Sequence, residues 1–247
     1  MNLAYYPFQL ITTKPSEVTV IDTASPKVLT DLIEALRNDL DKVVLSNDQL
    51  EPQEIRKASL WIGDPMLELD LDKLFQRLIY KRMELLIENQ RLVELIDQSQ
   101  QMAMYLLQDP FLSDLPVTVE PGGKLEQIMK YCNVHFDEAV TTESISKIEA
   151  LIQTLTKLEE KKLVILTNVS HYLSARDFFA VTEQIGDTEL QVILIEFSKV
   201  NRKKYFEKCQ YIYIDEDFVD SRELDCLGDC VKTTVSGRCR INQFKSK

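Results

Sequence analysis

KKLVILTNVSHY, residues Lys161 to Tyr172, holds at its centre an unbroken apolar run, Leu163 to Leu166, with charge before it and Thr167 and Asn168 after it. A short run of this kind, rich in β-branched residues, predicts a strand buried on both faces. A second such run, LQVILIEF, lies at Leu190 to Phe197. Between them Leu173 to Ile185 has helical spacing, with Ser174 placed to cap the helix. Strand, helix and strand in one short unit make a βαβ crossover, and a crossover implies a parallel sheet. Open parallel sheets bind ligands beyond the carboxyl ends of their strands. Here those ends carry Asn168, Ser170, His171, Glu196, Ser198 and Lys199.

Upstream, EVTVID at Glu17 to Asp22 alternates as a strand should. Ser25 and Pro26 then give a helix start, a capping hydroxyl followed by proline at the first helical position, for a helix running to about Leu40. Lys42 to Leu45 and Ser59 to Ile62 are further short strands, the second closed by Gly63, Asp64 and Pro65. From Asp70 to Gln108 nothing breaks a helix, and apolar residues recur near helical spacing, which predicts one helix on the order of 50 Å long. That is too long for a compact sheet domain to cover, so a projecting helical leg is expected. DPFLSDLPVTVEPGG, Asp109 to Gly123, ends it with three prolines and two glycines. Leu125 to Tyr131 reads as a short helix, Asn133 to Phe136 as a strand, Ser144 to Leu158 as an amphipathic helix, and Gln210 to Ile214 as a last strand before Asp215, Glu216 and Asp217. The fold class expected is therefore α/β, with a mainly parallel sheet in a head domain (residues 1–68 and 124–220), an inserted leg and connector (69–123), and a tail (221–247) of different character.

The chain has 247 residues and is 45% hydrophobic, enough for a substantial core. No apolar run approaches the roughly 20 residues that span a bilayer, and MNLAYYPFQL lacks the pattern of a signal peptide, so a cytoplasmic protein without membrane partners is expected. Five cysteines, an odd number, suit reduced thiols better than a disulfide framework. A net charge of -11 argues against a polyanion as partner, although a local basic surface can still hold phosphates.

None of the six glycines sits in a GxxxxGK[ST] or GxGxxG loop, the motifs whose backbone N–H groups close on phosphate. The two histidines, His135 and His171, provide poorly for a metal site or a serine triad. Cys226, Cys230 and Cys239 make a weak zinc pattern that fits free thiols better. Lys199, Arg202, Lys203, Lys204 and Lys208 with Tyr205 cluster cations near strand ends, suited to phosphates rather than bases. The same residues also fit a solvated surface helix. Arg77, Lys81, Arg82 and Arg91 on the leg are offset by Glu84, Glu88 and Glu94. Asp114, Glu120 and Glu126, on or near the connector, offer hard oxygen ligands of the kind calcium takes, without EF-hand spacing.

Three segments carry a resemblance: LEEKKLVILTNVSHYLSARDF at Leu158 to Phe178, LQVILIEFSKV at Leu190 to Val200, and YIYIDEDF at Tyr211 to Phe218, with a looser match around DLDKLFQRLIYKRMELL. In these the chain resembles the Csn family of CRISPR-associated proteins, the spacer-acquisition component of type II-A systems in antiviral defence. The resemblance implies an ATPase-like head without a nucleotide loop, a helical leg, and a calcium-stabilised homotetrameric ring around double-stranded DNA with a preference for free ends. It further implies a non-catalytic helper of the CRISPR integrase complex and the effector nuclease. The family's acidic calcium loop is reduced here to VTVEPGG, in which Glu120 is the carboxylate that matches. Two other readings stand beside this one: a protein-interaction scaffold docking through the long helix, and a nucleotide hydrolase with a degenerate site.

Overall fold

The computed structural model describes residues 1–118 and 124–222. Its strands are β1 (Asn2–Ala4), β2 (Ile11–Thr12), β3 (Glu17–Thr23), β4 (Val44–Ser46), β5 (Pro52–Gln53), β6 (Ser59–Gly63), β7 (Leu163–Thr167), β8 (Gln191–Phe197), β9 (Gln210–Ile214) and β10 (Asp220–Arg222). Its helices are α1 (Pro26–Asn38), α2 (Ile55–Ala58), α3 (Leu71–Leu86), α4 (Asn89–Leu107), α5 (Pro110–Ser113), α6 (Leu125–Tyr131), α7 (Glu138–Thr142), α8 (Ser144–Lys157) and α9 (Ala175–Gly186).

Six strands form one sheet in the order β10-β9-β3-β8-β7-β6, parallel throughout except for β10, which returns antiparallel to β9. The crossover β7–α9–β8 sits in the middle of it, as the apolar runs predict. Alternation along each buried strand serves two cores. Val164, Leu166, Val192 and Leu194 meet α8, α9 and the start of α3 through Ile148, Leu151, Val181 and Phe75. Leu163, Ile165, Ile193 and Ile195 face the other way and meet Val28, Leu32 and Leu36 of α1. Ile165 and Ile193 are fully buried. Truncating either to alanine would cost about 2–5 kcal/mol, because the covered strand cannot collapse around the hole.

Beside α1 lies a second, antiparallel sheet in the order β2-β1-β4-β5. Leu3, Ile11 and Leu45 extend the second core from it. β4 overlaps the strand expected over Lys42 to Leu45, whereas β1, β2 and β5, of two or three residues, carry too little alternation to be read from sequence. Ser25 caps α1 by accepting from the Val28 N–H, and Ser174 caps α9 by accepting from the Asp177 N–H.

The expected single leg helix is two helices. Ile87 and Glu88 both adopt extended backbone, with ψ of 132° and 139°, and part α3 from α4. No proline or glycine marks the break. Its cause is tertiary: α3 is anchored near its start by Leu71, Phe75 and Tyr80, while Leu85 and Leu86 at its end are 78% and 64% exposed. Helix propensity alone does not hold a long helix straight where packing stops. Helix α6 packs on both α3 and α4. Residues 133–136 form no strand. They run beside α3, where Tyr80 Oη and Gln76 Nε2 donate to the Val134 carbonyl and Asp72 accepts from the Phe136 N–H. Among the described residues no helix is long and apolar enough to cross a membrane.

Candidate functional site

The carboxyl ends of β3, β8, β7 and β6 lie side by side, and each carries a buried polar residue at its end or next to it: Asp22 and Thr23, Glu196, Thr167 and Asp64. Asp22 and Glu196 are register partners on β3 and β8, and both are fully buried. Two buried carboxylates on neighbouring strands are costly unless a cation joins them. Arg202, from the turn after β8, supplies it. Its Nε donates to Asp22 Oδ2 at 3.0 Å and its Nη2 to Asp22 Oδ1 at 3.1 Å, a bidentate pair. Its Nη1 donates to Ser170 Oγ at 2.7 Å, and Nη2 lies 3.5 Å from Glu196 Oε2. Ser170 in turn donates its backbone N–H and hydroxyl to the two Glu196 oxygens at 3.0 and 2.6 Å. Tyr211 on β9 donates to Asp22 Oδ2 and accepts the Arg202 N–H, each at 2.9 Å. The guanidinium also lies 5.3 Å from the centroid of the Phe206 ring.

Burial raises the Glu196 carboxyl above its ordinary range, and Asp22 adds to the rise, while Ser170 and Arg202 pull against it. For Arg202 burial lowers the pKa, but Asp22 and Glu196 outweigh it and the guanidinium is held charged. Further along the same edge, Asp64 after β6 accepts from Asn168 Nδ2 at 3.1 Å and from the Tyr172 hydroxyl at 2.9 Å. Burial, then Asp64, raise the Tyr172 hydroxyl. Lys147 on α8 is buried, and desolvation lowers its pKa against the fields of Asp70 and Asp64.

This edge is where an α/β sheet offers a ligand site, and the chain's own side chains fill it. A phosphate loop is also missing in geometry. Between β3 and α1 stand Ala24 and Ser25, and Pro26 at the first helical position has no N–H to give.

The five cations expected to meet phosphate divide. Arg202 is committed to the buried carboxylates, its side chain 21% exposed. Lys208 pairs with Glu183 at 3.2 Å and lies 4.0 Å from the Phe179 ring centroid. Lys199, Lys203 and Lys204 are exposed on the turn that Arg202 anchors, and that turn is not the surface helix considered above. Ser198 fixes its start by donating its N–H to the Thr23 carbonyl at 3.0 Å.

Of the expected metal ligands, Glu120 lies outside the described residues. Asp114 is exposed at the end of α5, and Glu126 is paired with Lys130 at 2.7 Å, which lowers its pKa. Arg77 and Lys124 act on Glu126 in the same direction. Among the described residues no three His, Cys, Asp or Glu side chains group as metal ligands. Asp215 is spent on a turn, accepting from the N–H groups of Asp217 and Val219 at 2.9 Å. His171 is exposed in a 3₁₀ turn, Cys132 is exposed, and Cys226, Cys230 and Cys239 lie outside the described residues.

Sequence reasoning placed Glu196 and Ser170 at this edge but missed Asp22, Asp64, Lys147 and Tyr211. The available signal was a carboxylate closing an apolar strand, in EVTVID and again in LWIGD.

No protein-family model and no curated protein matches the chain. Among solved structures, the crystal structure of Stu0660 of Streptococcus thermophilus aligns with 87% of this chain and 74% of its own, at a TM-score of 0.52 and 14% identity. A nucleotide-free ATP-binding cassette from an ABC transporter aligns with 91% of this chain and 90% of its own, at a TM-score of 0.40 and 12% identity. At 14% identity the likeness to Stu0660 is one of fold.

Proposed function

We propose that the chain is a non-catalytic protein that binds double-stranded DNA near its ends, assembles as a homotetrameric ring, and acts in spacer acquisition by a type II-A CRISPR system beside the integrase complex and effector nuclease. The observation that carries this reading is the filled carboxyl edge of the sheet. Arg202, Asp22 and Glu196 occupy the place of a ligand, and the same arginine anchors a turn bearing Lys199, Lys203 and Lys204 toward solvent. The three segments of resemblance fall on the frame of that edge: β7 with the first turn of α9, β8 with Lys199 after it, and β9. The fold likeness to Stu0660 agrees with the head fold that the resemblance implies.

Phosphate contacts made by lysines position a protein on a duplex without reading sequence. Binding should therefore depend steeply on salt and little on base composition. Linear duplex should bind in preference to a closed circle of the same sequence, and equal affinity for both would refute threading over ends. Replacing Lys199, Lys203 and Lys204 together by alanine should flatten the slope of log K against log salt by about 3 for three lost phosphate contacts. An unchanged slope would place the DNA path elsewhere.

Calcium belongs to this proposal through Glu120 first, with Asp114 exposed at the end of α5 and Glu126 paired with Lys130. The scaffold reading has its own support in the helical insertion, where Leu85, Tyr105 and Phe111 are 78%, 76% and 73% exposed. Retention of a bacterial protein partner after nuclease digestion, with loss on Leu85→Ser and Tyr105→Ser substitution, would favour it.

A further inference from the structure

Beside the buried network a cleft of about 340 Å³ opens between α9 and the turn at residues 201–209. Arg176, from the first turn of α9, and Lys204 and Lys208, from the turn, line it together with Phe179 and Tyr205. Glu207 is the carboxylate on its wall. The charges are not evenly balanced. Glu183 takes Lys208, and Asp177 accepts the Ser174 hydroxyl at 2.7 Å. Arg176 and Lys204 form no ion pair among the described residues. The apolar side is rigid: Tyr205 packs on Phe178 and Phe206 with ring centroids 5.1 and 4.8 Å apart, and its hydroxyl donates to the Leu173 carbonyl at 2.8 Å. Phe179 remains 41% exposed at the edge of this packed aromatic group and carries the Lys208 ammonium 4.0 Å from its ring centroid, so a stacking base shares the ring with that lysine.

An aromatic surface beside two cations that form no ion pair suits a ligand that is itself flat and anionic. Bare phosphate would use the cations and leave Phe179 wet, whereas a purely apolar ligand would leave Arg176 and Lys204 unused. The volume lies at the lower end of the range for small-ligand sites, enough for one base with its sugar and phosphate. We propose that this cleft takes a single nucleoside phosphate unit, with the base against Phe179 and Tyr205 and the phosphate between Arg176 and Lys204. The source is a free nucleotide or the unpaired terminal residue of a strand. Only the second source rests on the DNA-binding reading above.

The test is calorimetric titration of the full chain with dAMP, with a 5′-phosphorylated thymidine tetranucleotide, and with inorganic phosphate. Phe179→Ala should weaken nucleotide or tetranucleotide binding at least about fivefold, the low end of what an aromatic stack supplies, and leave phosphate binding unchanged. Arg176→Ala with Lys204→Ala should weaken all three by about tenfold. Saturation by dAMP assigns a free nucleotide, and saturation by the tetranucleotide alone assigns a strand terminus. Equal affinity of Phe179→Ala and the parent, or no saturation by about 10 mM of either ligand, overturns the assignment. So does displacement of bound ligand by an acidic, phenylalanine-bearing peptide that binds more tightly than either. Unchanged thermal melting shows that the variants fold, and blunt-duplex affinity, which Phe179→Ala should not move, separates failure of this site from failure of duplex binding.

Discussion

Arg202→Met isolates the network that closes the sheet. The substitution keeps an unbranched apolar side chain but removes the guanidinium over Phe206, the one cation among the described residues within 4.0 Å of both Asp22 and Glu196, each of them fully buried. Deleting one partner of a buried pair costs about 3–5 kcal/mol. The guanidinium is 21% exposed, so water relieves part of that and about 3 kcal/mol is the better figure. For a chain of this size it corresponds to a fall in melting temperature of about 6–12 °C. The deficit should depend on pH with a definite sign. Glu196 already has a folded pKa raised above its ordinary 4.5, and Arg202 is one of the groups restraining that rise. Without the arginine it climbs further. A carboxyl with a raised folded pKa binds more protons folded than unfolded, so its favourable contribution is complete below the unfolded pKa and is lost as pH rises through the folded one. The variant's deficit should therefore be smaller at pH 5.5 than at pH 8. Urea denaturation at both values reads this directly, repeated in an Asp22→Asn, Glu196→Gln background where the cation has no charge to meet. The reasoning fails if Arg202→Met costs the same in both backgrounds, or the same at both pH values.

Gly63 ends β6 at φ +72°, and a Cβ there would meet Glu68 Oε1 at 2.6 Å and Trp61 Nε1 at 2.9 Å. Gly63→Ala should cost about 1–3 kcal/mol through backbone strain and the shift of Glu68, lowering the melting temperature by about 3–8 °C in a thermal scan. For the proposed calcium dependence, chelator should lower the melting temperature of the parent chain and of Glu126→Ala alike, and leave Glu120→Ala unmoved. A response lost in Glu126→Ala but kept in Glu120→Ala would exchange their roles.

What the sequence disclosed depended on the range of the cause. The β7–α9–β8 unit was legible because its signals are local: two apolar runs of strand length and a serine cap between them. The parallel sheet follows from that one crossover. The break at Ile87–Glu88 was illegible because neither residue forbids a helix, and the chain bends where the head stops supporting α3. Arg202 was illegible for a related reason. In KVNRKKYFEK it is one cation among five, and only the meeting of Glu196 and Tyr211, on the strands that flank it, with Asp22, 180 residues away, sets it apart.

That sorting of charges bears on how a chain of net charge -11 could bind DNA. Asp22 and Glu196 are buried against Arg202, and the three together contribute only one of the eleven excess negative charges. The remaining excess is spread over exposed carboxylates, and a phosphate at Lys199 or Lys204 feels those beyond the Debye length only weakly. That length is about 8 Å at physiological salt but about 30 Å at 0.01 M. Lowering salt therefore strengthens two opposing terms: the local attraction of the turn, and the repulsion of the whole acidic body. A basic protein would show log K rising linearly as salt falls. This chain should show the same line near physiological salt and a bend toward a plateau below about 0.03 M, where repulsion from the whole molecule is no longer screened. Binding isotherms on one linear duplex from about 0.01 to 0.3 M salt would show it. A straight line across the whole range would mean that the negative surface is too far from the DNA to matter, and that the lysine turn projects well clear of it.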